Sequence, residues 1–113
     1  MEIIQNEVKI EDLKKMAEGM FGNLVKAVVD IEKGIMAING ELHADEEALL
    51  LEKGSEQRNL WGINIYPEIK DENWIEFDSM INLRPSQGNR SRSVDDQEIQ
   101  KKIIEIVNKL VKK

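Results

Sequence analysis

The chain has 113 residues, no cysteine and a formal net charge of −6. That length indicates one domain, residues 1–113, able to bury a core without a metal or disulfide to hold it. The missing cysteine excludes disulfides, thiolate zinc sites and cysteine nucleophiles. The acidic balance argues against generic binding to duplex nucleic acid. No apolar run approaches the ~20 residues of a membrane span. The N-terminus, Met1 to Glu7, lacks the basic start and apolar centre of a signal peptide, so a cytoplasmic protein is expected.

Glu2 to Gln5 reads as a short strand. Ile10 to Phe21 reads as a helix, because Leu13, Met16, Ala17, Met20 and Phe21 recur at the spacing of one buried face. Glu11 and Asp12 suit its N-terminal dipole, and Gly22-Asn23 stops it. Val25 to Ile31 alternates as a strand with one strongly apolar face. Glu32-Lys33-Gly34 turns the chain into a second strand, Ile35 to Ile38, and Asn39-Gly40 offers positive-φ turn positions. Glu41 to His43 is expected as a short return strand. Ala44 to Lys53 then reads as a helix capped near Asp45 and ended by Gly54, although its leucines are clustered rather than periodic and a strand is the alternative.

Asn59 to Tyr66 has strand composition, closed by Pro67. Trp74 to Leu83 is expected as the longest strand, with Ile75, Phe77, Ile81 and Leu83 on one face, paired antiparallel with Asn59 to Tyr66. Four of the five aromatics lie between Trp61 and Phe77, which places the centre of the core in that hairpin. A final helix runs from about Asp95 to Val111, with Ile99, Ile103, Ile106, Val107 and Leu110 as its stripe and Ser93 with Asp96 as a capping box. The order implies an α+β two-layer sandwich: a mainly antiparallel sheet, N- and C-terminal helices on one face, and a short helix near 44–53.

Charge is unevenly placed. Glu41 to Glu56 carries −5 and Glu68 to Asp78 carries −4, whereas three of the four arginines fall between Arg84 and Arg92 with no acid among them. That loop has the parts of an anion site. Arg84, Arg90 and Arg92 offer forked donors, Ser86 a hydroxyl, Asn89 an amide, and Gly88 a backbone free to turn its N–H groups inward. It also leads to a helix N-terminus. Against this, Asp95 and Asp96 already occupy that terminus, and the arginines could fasten the loop to Glu76 and Asp78 instead. Both readings stand on sequence alone.

Other candidates are sparser. His43 is the only histidine, beside Asp45 and Glu46; a metal site needs several converging ligands, a general base is the other chemical option, and the plainer reading is a polar residue at a strand-to-helix junction beside its cap. Glu76 and Asp78 share one side of a strand, as an acid–base pair or as solvent-facing alternation. Trp61 and Trp74 are a stacking platform for bases or, given their aliphatic neighbours, core residues. Phosphate-loop and serine-nucleophile patterns are absent, and no metal or cofactor is expected.

The phrases Leu60-Trp61-Gly62-Ile63-Asn64-Ile65-Tyr66-Pro67 and Phe77 to Arg92, together with Gly40-Glu41-Leu42-His43-Ala44-Asp45 and the final helix, resemble an uncharacterised family of small prokaryotic proteins, a domain of unknown function. The resemblance runs along nearly the whole chain. It implies a cytoplasmic, single-domain protein and brings no catalytic or binding role. Three functions are therefore carried forward. The first is a binding module whose Arg84–Ser93 loop holds a small anionic ligand or an acidic protein partner. The second is an enzyme acting on a phosphorylated or carboxylated small molecule with His43, Asp78 and Arg84 in one pocket. The third is an oligomeric interaction protein using a sheet edge or a face bearing Trp74 and Met80.

Overall fold

The computed structural model describes residues 1–113. In chain order the elements are β1 (Glu2–Ile4), β2 (Val8–Lys9), α1 (Ile10–Gly19), β3 (Val25–Asp30), β4 (Ile35–Ile38), α2 (His43–Glu52), β5 (Leu60–Ile65), β6 (Ile75–Glu76), α3 (Gln97–Leu110) and β7 (Val111–Lys112). Five strands form one antiparallel sheet in the order β1-β4-β3-β5-β6. The remaining two, β2 and β7, pair in parallel and tie the start of α1 to the end of α3. The middle strand is β3, where every residue except Lys26 is buried. Its valines suit the pleated surface. The centre of the core is thus β3 rather than the Trp61–Phe77 hairpin, whose outer strand is a sheet edge.

Each face of the sheet has its own cover. Leu13 and Ala17 of α1 and Ile103, Val107 and Leu110 of α3 pack on Val25, Ala27, Val29, Met36, Ile38, Trp61, Ile63 and Ile65. The terminal helices therefore share one face, as the apolar stripes imply. The opposite face carries Val28, Ala37 and Leu60 and is covered by α2 through Leu50. This second layer is thinner and more polar, and it meets Lys26 and Asn64, which lie side by side across β3 and β5.

Several element ends differ from the periodic reading. Helix α1 stops at Gly19, and Met20 and Phe21, the last two members of the expected stripe, are each 40% exposed. Glu41 to His43 is not a strand: Leu42 is the extended residue before α2, and His43 is its first helical residue. The α3 cap is Asp96 alone, whose carboxylate accepts the Glu98 N–H, so Ser93 takes no part.

The largest departure is Trp74 to Leu83. Only Ile75 and Glu76 are strand, opposite Ile65 and Asn64. Trp74 ends a 3-10 turn, and Met80–Asn82 forms another. Two local interactions break the strand. Ser79 Oγ accepts the Ile81 N–H, which bends the chain, and Ser79 N–H donates to Arg92 O instead of a sheet partner. Asn82, fully buried, then stands in for the missing strand. Its Oδ1 accepts the Gly62 N–H at 2.8 Å and its Nδ2 donates to Gly62 O at 2.9 Å. The side-chain amide thereby pairs both backbone groups that β5 presents beyond the end of β6. Trp74 is buried beneath the Lys113 ammonium, 3.8 Å from its ring centre, which favours the core reading over the stacking platform and over an exposed face shared with Met80. Met80 is 62% exposed.

This arrangement needs glycine at position 62. A Cβ there would lie 2.6 Å from both Cβ and Oγ of Ser79, inside contact distance. We expect Gly62→Ala to push the Ser79–Asn82 turn off the sheet and cost about 1–3 kcal/mol, as over-packing does. Urea unfolding measures it, and an unchanged midpoint would mean that Ser79 moves aside freely.

Candidate functional site

The arginine loop is satisfied largely by its own chain. Arg84 turns inward. Its guanidinium donates to Ile81 O and Gln57 O at 2.9 Å each, to Leu60 O, and to Gln87 Oε1. It stacks 4.7 Å from the Trp61 ring centre and lies 3.9 Å from Glu47 Oε2. Ser86 and Gly88 are exposed, and Gly88 uses its φ of 87° to close the tight turn that bridges Arg84 to Asn89. Asn89 is the buried hub: its amide donates to the carbonyls of Asn82, Ser91 and Ser93 and accepts Asp95 N–H. Asp95 takes the place a bound anion would have. It accepts the Arg90 N–H and the Ser91 hydroxyl, and these two bonds hold its carboxyl below the usual range. The Arg90 side chain lies exposed on the surface.

Arg92 points elsewhere. Its Nε donates to Asp78 Oδ1 at 2.8 Å, with both side chains about half exposed. The ion pair foreseen between a loop arginine and Glu76 or Asp78 therefore forms at Asp78 with Arg92, not with Arg84. Glu76 instead accepts from Asn64 Nδ2 and Tyr66 OH.

Arg92 and Asp78 form one wall of a cleft of about 250 Å³. His43 and Leu42 at the start of α2 face them, Lys26 and Asn64 form the floor on β3 and β5, and Ser79 and Met80 close the rim. His43 and Asp78 are thus brought together, while Arg84 lies outside. The two cations outnumber the one carboxylate, so this cleft is locally positive on an acidic body.

His43 is buried, and its Nε2 sits 2.8 Å from Ile63 O. A carbonyl oxygen only accepts, so Nε2 carries the proton and Nδ1 carries a lone pair. Burial lowers the imidazole's affinity for a second proton, with Lys26 and Arg92 adding to that and the Ile63 carbonyl and Asp78 opposing it. The ring is neutral near neutral pH. Asn64 is 8% exposed; its Nδ2 donates to Glu76 Oε1 and Asp78 O, and its Oδ1 has no partner.

Lys26, Asn64 and Ser79 carried no motif. The available signal was polarity out of place: Lys26 interrupts the apolar run of β3, and Asn64 interrupts that of β5. No group of three or more carboxylate or imidazole side chains converges as a cation site.

Fold and cleft together define a small α+β domain with a polar, cation-rich cleft at the edge of its second layer. The family described as a protein of unknown function (DUF5674) matches residues 2–110, and the chain belongs to that family. No curated protein and no solved structure matches the chain. No helix is long and apolar enough to cross a membrane.

Proposed function

We propose that the protein is a binding module for a small anionic molecule, held in the cleft between α2 and the Asp78–Ile81 segment. The observation that carries this reading is the convergence of Lys26 and Arg92 on one cleft with a neutral histidine. Only Nε of Arg92 is engaged, on Asp78, which leaves its two terminal nitrogens as a donor pair for an oxyanion. Arg92 is the one member of the 84–92 loop that lines this cleft. Asn89 and Asp95 act here as the scaffold that sets its position, while Arg84, Ser86, Gly88 and Arg90 stay outside.

Titration of ¹⁵N-labelled protein with inorganic phosphate tests this. Expected are saturable shifts at Lys26, Asn64 and the His43 ring, weakened roughly tenfold or more in Arg92→Glu. The Arg92–Asp78 pair is solvent-screened, so the same variant should lose less than about 1 kcal/mol of stability. Shifts scattered over the surface lysines, or unchanged by Arg92→Glu, would overturn the assignment.

A second reading, an enzyme, is favoured by one observation: His43 and Asp78 share the cleft, and the open Nδ1 of a neutral imidazole is a general base. In this version Lys26 and Arg92, rather than Arg84, hold the phosphoryl or carboxyl group of the substrate.

A further inference from the structure

We infer that the ligand of this cleft is not a bare oxyanion but a small anion that also carries a hydroxyl or amino group, donated to His43 Nδ1. This rests on the anion-binding reading above and narrows it to a chemical class.

The argument comes from an acceptor that the protein leaves unmatched. His43 Nε2–H is spent on Ile63 O, so the other ring nitrogen can only accept, and it makes no hydrogen bond within the protein. Asn64, which lines the same cleft, also has an unpaired acceptor, Oδ1, but that atom is sealed from solvent and lies out of a ligand's reach. His43 is itself a buried side chain, and an unpaired acceptor on such a group calls for a specific explanation.

His43 lines the same cleft as Lys26 and Arg92. Sulfate or a simple carboxylate, which carries no O–H at neutral pH, would satisfy the two cations and leave this acceptor empty, facing its own negative oxygens. A molecule with an O–H or N–H a few bonds from its anionic group satisfies the cations and the acceptor at once. Asp78, on the same wall, strengthens the preference for a donor. The volume of about 250 Å³ lies below the ~300–1,000 Å³ of drug-sized sites, which limits the ligand to metabolite size. Leu42 and Met80, exposed at the rim, suit its short carbon body.

The test compares propyl phosphate with glycerol phosphate, which share an anionic head and a three-carbon body and differ in hydroxyl groups. Both are titrated into ¹⁵N-labelled protein. His43 is the only histidine, so its two ring nitrogens give one unambiguous pair of signals. Glycerol phosphate should bind roughly tenfold or more tightly, because a site built to hydrogen-bond a hydroxyl rejects the analogue without it. It should also move the Nδ1 signal to the position of a hydrogen-bonded acceptor, which propyl phosphate does not do. His43→Ala should erase the preference. The Nδ1 readout needs no variant, so it holds even where His43→Ala unfolds.

Equal affinity for the two probes would overturn this inference and leave the anion site standing. Binding of neither probe would overturn both. A preference that persists in His43→Ala, with Nδ1 unmoved, would place the hydroxyl contact elsewhere and also overturn the assignment.

Discussion

Arg84→Ala should be among the most destabilising single substitutions in this chain, costing about 3–5 kcal/mol in urea or thermal unfolding, the range seen when one partner of a buried ion pair is removed. The guanidinium side chain is only 11% exposed and donates to three backbone carbonyls, those of Gln57, Leu60 and Ile81. Those carbonyls belong to three different segments: the turn before β5, the first residue of β5, and the turn that replaces a longer β6. Alanine leaves these acceptors unpaired and also strips the face of Trp61, which the guanidinium covers. Glu47 is the sharpest loss. Its side chain is 14% exposed, its Oε2 has no hydrogen bond, and Arg84 at 3.9 Å is the only cation set against it.

Arg84→Lys should recover only part of this, at about 2 kcal/mol below wild type. A single ammonium cannot reach the three carbonyls from one plane, nor stack on the indole. The paired observation is phosphate binding: a folded Arg84→Ala protein should bind phosphate as wild type does. A stability change below about 1 kcal/mol together with lost binding would put Arg84 in the site and reverse the assignment of Arg84 and Arg92.

The contrast between these two arginines marks how far the sequence carries. Most regular features were legible: α1, the β3–β4 hairpin, β5 and α3 from their apolar sets, the short strand β1, and α2 from its end signals. The arginine loop was also legible as a place where charge is concentrated. What could not be read was which arginine turns inward, since that depends on three carbonyls drawn from distant segments. The Trp74–Leu83 stretch misled for a related reason. Its alternation is real, but the Ser79 hydroxyl and the Asn82 amide compete with the strand for backbone partners, and they win because Gly62 lets the turn approach β5 closely. Helix α2 was legible from its end signals, Asp45 and Gly54, rather than from a stripe. Its buried stripe is His43, Glu46 and Leu50, so two of three core positions carry polar side chains and no apolar period survives. His43 was identified as a candidate from its rarity. Its neutral state and fixed tautomer follow only from the Ile63 carbonyl beside it.

Glu46 supplies the second large effect, as a dependence of stability on pH. It occupies the α2 stripe with no exposed surface, facing Gly40 at the end of the β4 segment. Oε2 accepts the Gly40 N–H at 2.9 Å, and Oε1 has no partner. Burial pushes its carboxyl up to about 9, against the Gly40 N–H, Lys26 and the N-terminal ammonium, which favour ionisation, and with Asp45, which disfavours it. The folded protein therefore holds a proton there that the unfolded chain gives up near pH 4.5. Between these values the folded state binds more protons than the unfolded one, so stability falls as pH rises. The contribution is complete below about pH 4.5 and is lost progressively up to about pH 9. The full interval corresponds to a ceiling of about 6 kcal/mol, and relaxation around the buried acid should reduce the observed loss to about 3 kcal/mol. That is a large share of the ~5–15 kcal/mol that holds a domain of this kind together. Glu46→Gln keeps an oxygen for Gly40 N–H and cannot ionise. Its stability should be nearly flat over this range and should exceed wild type by about 3 kcal/mol at the alkaline end. The difference between the two proteins is the relevant measurement, because His43, whose ring resists a second proton, tilts both curves the opposite way below its ordinary value of 6.5. Parallel curves for the two proteins would show that Glu46 ionises at an ordinary pH inside the folded chain, and would remove the protonated acid from the core of the second layer.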